Sequence, residues 1–504
     1  MASKAMPGVS RIPHLPRQVS PFLLLLLAGC SALEKPPYCP VDLPNAVAEP
    51  SGTGGPLHRK ALEYELWARA LWPEPYGGAV NTVFSGPPNR EGAGVAAYGD
   101  LEDSADWTGT YLAAEAFRYA VTGEPEAKEN ARRAARTLDF FLHVTELPGL
   151  LARFAGPPDP PVLAGFGGTC QKDALEPCFP GSFNGKPVLW MGATTQDQYT
   201  GWFFGMTTAY RLIDDDELKG MIRNDVREVI EALQRWDYKI QGPPGSPTHS
   251  GNQLDHLTQL AFLLMASDIL RDDPRYCRWY EEAVKSNLAR ALAQDFSGYN
   301  RYFQYYGFNL GFLNNYHLIL LEPNPERRKA YLEAFEEGAY SFVRGTGNTL
   351  FDYIHLAVSG ASEPKTLTSA QASLELFSPA PNVMRCVAPP PAPLSRTSIL
   401  LYKLNQLLTL FGIPQEVFPQ ARSPYPLNQR CPVDFLWQQS PYSVCCFASC
   451  PSEAGPEPAW PPPASQAHCR QNPFSTCSTT VYPGADYLLA YWLGRYHGFL
   501  GPND

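Results

Sequence analysis

Past residue 30 the sequence has no apolar run approaching the roughly 20 residues that a bilayer-spanning helix needs, so no later segment is expected to cross a membrane. Positive charge is scarce as well. Lys and Arg total 40 against 50 Asp and Glu, a net charge of -10 with a pI near 5.5. That balance argues against a nucleic-acid partner, which requires a basic face. Phosphate-binding loops of the Walker type, His-Glu-x-x-His pairs and Gly-x-Ser-x-Gly elbows are all missing. Gly165-Phe166-Gly167-Gly168 is too short and misplaced for a dinucleotide loop. Nothing in the sequence calls for a cofactor or a resident metal.

What is present begins with a leader. Lys4, Arg11 and Arg17 precede the apolar run Phe22 to Leu27, and the small residues Ala28 and Gly29 stand before Cys30. This is the layout of an export signal with its cleavage site. The stretch Leu27-Ala28-Gly29-Cys30 resembles the lipobox of bacterial lipoproteins. The resemblance implies a diacylated Cys30 thiol and an acylated new amino terminus, so that membrane lipid is a partner through Cys30. Several acyl chains at about 0.8 kcal/mol per buried CH2 anchor stably where one would not. Ser31 in place of an aspartate implies, by the Gram-negative sorting rule, the outer membrane. The bland alternative is an ordinary secretory signal with an incidental cysteine. The expected organisation is residues 1-29 as signal, 30-56 as lipidated cysteine and Pro/Gly-rich tether, and 57-504 as the folded domain.

Within that domain one pattern recurs: an apolar, small-residue-rich helix, a turn, and a charged amphipathic helix. A helix over 58-72 leads. The pairs read 104-119 with 125-144, 197-213 with 216-236, 252-270 with 274-293, and 308-321 with 325-343. Turn signals such as Thr122-Gly123-Glu124-Pro125 and Arg271-Asp272-Asp273-Pro274 separate the partners. Leu260 to Ala266 is apolar nearly all round and is expected to be buried, whereas Lys128, Glu129, Arg132 and Arg133 give a partner helix its solvated stripe. Further inner helices are read over 349-358 and 485-499. The segment 360-480 reads as irregular apart from an apolar helix over 398-411, and 412-480 as a Pro/Cys-rich insertion.

Eleven of the 12 cysteines follow Cys30, and six of them fall between Cys431 and Cys477. In an exported chain this density reads as disulfides of undeduced connectivity, with at least one thiol left over. A zinc alternative would use Cys445, Cys446, Cys450, Cys469 and His468, but the spacings match no common zinc module.

About six inner helices, each with an outer partner, resemble the (α/α)6 toroid of the six-hairpin glycosidase superfamily, which also houses polysaccharide lyases. The resemblance implies an all-α fold class, a toroid of helical hairpins with an irregular disulfide-rich insertion near the C-terminus. The resemblance rests on helix count and alternation over most of 57-499. It implies a cleft at the mouth of the ring and a carbohydrate ligand.

Toroid glycosidases work with paired carboxylates, one protonated and one ionised. Asp103, Asp106, Asp197 and Asp486 stand at inner-helix starts, where a cap would also favour an acid. Asp106 and Asp197 are singled out by an internal echo: Asp106-Trp107-Thr108-Gly109 parallels Asp197-Gln198-Tyr199-Thr200-Gly201. Trp107, Tyr199 and Trp202 flank them as candidate sugar-stacking rings, and an apolar wall raises a carboxyl pKa. Asp255 and His256 form a second candidate catalytic pair, or else a cap. Tyr302, Asn315 and His317 are candidate substrate-binding residues. They would lead if the chain were a lyase, which neutralises a uronate with Asn or Arg. Arg495 and His497 are lesser candidates. A non-catalytic binding or envelope-structural lipoprotein stays open beside both enzymes.

Overall fold

The computed structural model describes residues 54-85, 94-167, 177-246, 250-293, 305-345, 347-375 and 480-504, with a few single positions between 377 and 408. Cys30, Tyr302, most of the helix read over 398-411 and the cysteines from Cys431 to Cys477 lie outside the described residues. Cys277 is free and exposed, and Cys178 is disulfide-bonded.

The described chain is mostly helical, 66% helix and 8% strand. Its helices are α1 Pro56–Ala70, α2 Ser104–Thr122, α3 Pro125–His143, α4 Val162–Phe166, α5 Gln196–Leu212, α6 Asp216–Arg235, α7 His256–Ile269 and α8 Pro274–Leu292. Then follow α9 Tyr305–Leu321, α10 Pro325–Phe335, α11 Ser341–Val343, α12 Thr349–Ser359, α13 Pro364–Glu375 and α14 Ala485–Tyr496. No helix among the described residues is long and apolar enough to cross a membrane.

Helix boundaries follow local chemistry. Proline occupies the first turn of α3, α8 and α10, where its missing N–H costs nothing. Asp215, Asp273 and Asn324 cap α6, α8 and α10 by accepting a backbone N–H. Gly123 and Gly360, both left-handed, end α2 and α12. The apolar helices go inside. Residues 260–263 and 488–493 are fully buried on every face, and each such Leu or Phe contributes about 1.5–3 kcal/mol of burial.

These buried helices touch in sequence order. α2 packs on α5, α5 on α7, α7 on α9, α9 on α12, α12 on α14, and α14 returns to α2. The amphipathic helices lie against them: α3 on α2, α6 on α7 and α5, α8 on α7, α10 on α9, α13 on α12 and α1 on α14.

The structure departs from the sequence reading in four places. Residues 252-254 do not join the α-helix: Asn252 ends a 3-10 turn, Ile240 N–H donates to its carbonyl (2.8 Å) and Leu254 N–H to that of Tyr238 (3.0 Å), and α7 starts only at His256. The outer helix of the fourth pair breaks after α10 in a π turn at Gly338, whose ψ of -108° is not helical. The stretch read as irregular contains α13. It is held by Thr349 Oγ1 donating to the Ala370 carbonyl (2.8 Å) and Ser373 Oγ donating to that of Gly347 (2.6 Å). Finally, two small antiparallel sheets supplement the helices. One has the order β2-β1-β6, from Asn81–Phe84 (β1), Val95–Gly99 (β2) and Thr480–Val481 (β6). The other has the order β3-β5-β4, from Ala155–Gly156 (β3), Cys178–Phe183 (β4) and Lys186–Met191 (β5). β4 and β5 turn at Asn184-Gly185, both with positive φ (50° and 73°), as a two-residue hairpin requires.

Two packing devices join the buried helices at close range. At the crossing of α2 and α5 the backbones meet through Gly109, Gly201 and Gly205. A Cβ at Gly201 would overlap the carboxylate and main chain of Asp106, and one at Gly205 would lie 2.8 Å from Gly109 Cα. The second is a buried charge cluster joining α1, α2 and α14. Arg118 (2% exposed) has Nη1 3.6 Å from Glu65 and 3.4 Å from Glu115, and Nη2 2.7 Å from Glu124. Trp492 Nε1 donates to Glu65 (3.1 Å), and Asn130 Nδ2 donates to Glu115 (3.3 Å). Burial, then the facing Glu65 carboxylate, pushes the Glu115 carboxyl well above the usual range, against the pull of Arg118.

Candidate functional site

The acids named from the Thr-Gly echo meet. The α2–α5 crossing brings the first turns of both helices together, and the charges of Asp103 and Asp197 both act on the Asp106 carboxyl. Asp103 joins the cluster as the residue just before α2. Neither Asp106 nor Asp197 serves as the N-cap of its helix. The α5 cap is Thr195, in a capping box with Gln198, and Asp103, at the α2 cap position, makes no side-chain cap bond.

Asp103 is held from two sides. Gln198 Nε2 donates to its carboxylate (3.2 Å), and Arg153 Nη1 lies 3.8 Å away. Arg153 is itself fixed by donating to the carbonyls of Ala193 (3.1 Å) and Glu102 (3.0 Å). The Asp103 side chain keeps 34% of its surface exposed, in contrast to Asp106 at 5%. Desolvation lifts the Asp103 carboxyl to about 7; Arg153 opposes this, while Asp197, Asp100 and Glu102 add to it. Asp100, in the left-handed region at φ 49°, is raised to about 6 by burial and by Glu102. Asp106 is raised well above its usual value by burial first, then by Asp103 and Asp197, with the Gly201 amide acting against them. Chemically, this is a partly exposed carboxyl that burial and neighbouring acids push up, beside a second acid.

The flanking aromatic residues are elsewhere in role. Trp107 is 3% exposed, and Tyr199 and Trp202 are 0% exposed. Tyr199 OH donates to the Gly149 carbonyl (2.7 Å) and accepts from Leu151 N–H (3.1 Å), while Trp202 packs edge-on against Phe203. They shape the core under the acids. Asp255 is the N-cap of α7, accepting from Thr258 N–H (2.8 Å) and Thr258 Oγ1 (3.0 Å). His256 follows it, with Nδ1 buried and without a hydrogen-bond partner among the described residues. Asn315 donates back to the Gly311 carbonyl one turn earlier (2.8 Å). Asp486 lies in the first turn of α14 and accepts from Tyr487 N–H (3.1 Å). Arg495 donates to Tyr491 OH (2.9 Å), and His497 Nε2 sits 2.9 Å from Tyr316 OH.

His317 lies between α9 and α5, 4% exposed, with Nε2 3.1 Å from Thr208 Oγ1. Burial lowers it to about 3. A histidine depressed below its unfolded value contributes stability that is complete above about pH 6.5 and is lost as pH falls toward the folded value. The loss is on the order of 3 kcal/mol by pH 4. His317→Gln is expected to flatten the decline of unfolding free energy between pH 6.5 and 4, measured by denaturant titration at each pH. An unchanged slope would show that His317 is not the responsible group.

Sequence reading chose Asp106 and Asp197 and passed over Asp103, Asp100 and Arg153. Asp103 was visible as an acid at a helix start. The exposure and neighbours that distinguish it arise only from the packing of α5 and of Arg153, just before β3. No protein-family model matches the chain, and no curated protein matches it.

Proposed function

We propose that this chain is an exported, lipid-anchored glycoside hydrolase of the (α/α)6 toroid type, tethered through Cys30 to the outer membrane. The observation that carries the enzymatic reading is the carboxyl cluster at the starts of α2 and α5, in which a solvent-accessible acid with a pKa near 7 faces other carboxylates. The toroid reading is supported by the closed order of contacts α2-α5-α7-α9-α12-α14-α2. Asp103 donates the proton to the glycosidic oxygen, since it combines a neutral-pH proton with access to solvent. Asp197 is the ionised partner, acting as base or nucleophile. Asp106, sealed beneath them against Gly201, is a positioning residue that fixes how the first turns of α2 and α5 meet.

The test uses the full chain in detergent micelles with neutral and uronate polysaccharides, recording both reducing ends and unsaturated products. New reducing ends without unsaturation are expected. The rate is expected to fall as pH rises through about 7, where Asp103 loses its proton. Asp103→Asn and Asp197→Asn are each expected to lower kcat by about 10²–10⁴ with helix content unchanged. Unsaturated products would instead favour a lyase and direct attention to Tyr302, Asn315 and His317. Silence across the panel would favour a binding or envelope-structural lipoprotein.

A further inference from the structure

A second group of ionisable side chains lies away from the acids of α2 and α5, between the outer helices α3 and α6. Asp139 and His143 are four residues apart on α3 and so share one face; Asp225 and Glu228, three apart on α6, face them. One ligand atom from each of Asp139, His143 and Asp225 lies within 4.8 Å of the others. Asp225 is 2% exposed, and its Oδ2 has no hydrogen-bond partner among the described residues. His143 Nδ1, 3.1 Å from an Asp139 carboxylate oxygen, serves Asp139, but Asp225 Oδ2 faces no donor among the described residues, and a buried carboxylate left so requires a cation, either a proton or a metal.

The surroundings distinguish these two cations by chemistry. His143 Nδ1 is 2.9 Å from the Asp139 carbonyl and 3.1 Å from its Oδ1, so Nδ1 is taken up by Asp139 and Nε2 is the nitrogen left to ligate; a contact of this kind orients a ligating imidazole. Its Nε2 lies 3.7 Å from Glu228, whose other oxygen accepts from Gly149 N–H (2.9 Å). The donor set is thus one imidazole nitrogen and two carboxylates, with a third carboxylate or water available for a fourth position. That composition and number suit zinc. His143 keeps 41% of its side-chain surface, Asp139 29% and Glu228 33%, which leaves an entry path from solvent.

We infer that Asp139, His143 and Asp225 bind a divalent zinc ion that clamps α3 to α6. Zinc enters as the hydrated dication, and any proton held by the cluster leaves to bulk water. Glu228 completes the site or orients its water, and through Gly149 the clamp reaches the loop that hydrogen-bonds Tyr199 of α5.

The test is zinc chloride titrated calorimetrically into the chelator-stripped full chain at pH 7.5. One equivalent per chain and a rise in Tm are expected. The Co2+ form is expected to show visible d–d absorption that is absent without protein. His143→Ala, at a half-exposed position, and Asp225→Asn are each expected to weaken zinc binding by roughly 100-fold or more. Far-UV dichroism of the metal-free variants checks that both fold. Lack of zinc uptake by the wild-type chain would overturn the inference and leave a proton as the cation. Uptake that both variants retain would overturn it too, by placing the zinc elsewhere.

Discussion

Replacing Arg118 with methionine is expected to lower the unfolding free energy by about 3–5 kcal/mol, read as a shift of the denaturant midpoint at pH 7. Arg118 is the cation among Glu65, Glu115, Glu124 and Glu126. Glu124 and Glu126 are 42% and 50% exposed, so water can replace Arg118 for them. Glu65 and Glu115 have no such recourse, with side chains 3% and 0% exposed. Glu115 can relieve part of the strain by keeping its proton, as its raised pKa indicates. Glu65 would remain buried without its cation, with the Trp492 indole (3.1 Å) and the Tyr111 hydroxyl (3.4 Å) donating to it among the described residues. The double variant Arg118→Met with Glu65→Gln is therefore expected to recover part of the loss. A cost below about 1 kcal/mol for the single variant would mean that water reaches the cluster and the charges are not sealed.

Gly201→Ala is expected to be as damaging, and for a steric reason. Its Cβ would stand 2.5 Å from Asp106 Cα and overlap the carboxylate as well. Helix backbone cannot rotate away as a side chain does, so α2 and α5 must separate along their whole crossing. Overpacking of this kind costs at least the roughly 3 kcal/mol at the upper end of core insertions. Because the same crossing sets Asp103 and Asp106 against Asp197, any hydrolytic activity is expected to fall with it. Gly220→Ala on α6 is the matched control. Nothing lies within 4 Å of its Cβ position, and the change is expected to stabilise by about 0.5–1 kcal/mol through helix propensity. Thermal melts of the two variants side by side check both. If Gly201→Ala melted like the wild type, the close approach of α2 and α5 would be wrong.

The hairpin pattern was legible in the sequence because it is written in local terms. Pro125, Pro274 and Pro325 open helices, Asp215, Asp273 and Asn324 cap them, and apolar residues mark which helices are buried. The Asn184-Gly185 turn was an equally local signal, and it marks the β4–β5 hairpin that the helical reading passed over. By contrast, α13 has no strong apolar stripe. It buries Ala370, Ser373 and Leu374, and two of its anchoring hydrogen bonds come from the segment Gly347–Thr349.

For the candidate site, residue type and position along the chain were enough to single out Asp106 and Asp197. The paired Thr-Gly steps that marked them serve, in the fold, to let two helix backbones touch at Gly109 and Gly201. Sequence alone determined most of the helices, the prolines and caps at their ends, and which acids stand at their starts, since each depends on interactions a few residues long. Only the tertiary structure decided that Trp107, Tyr199 and Trp202 are enclosed in the core, that Asp103 keeps access to water, and that Asp139 and His143 face Asp225. Exposure, desolvation and the meeting of distant side chains are set by packing between residues far apart in the chain, from Tyr199 with Gly149 (50 positions) to Asp103 with Gln198 (95 positions), and no local pattern encodes those distances.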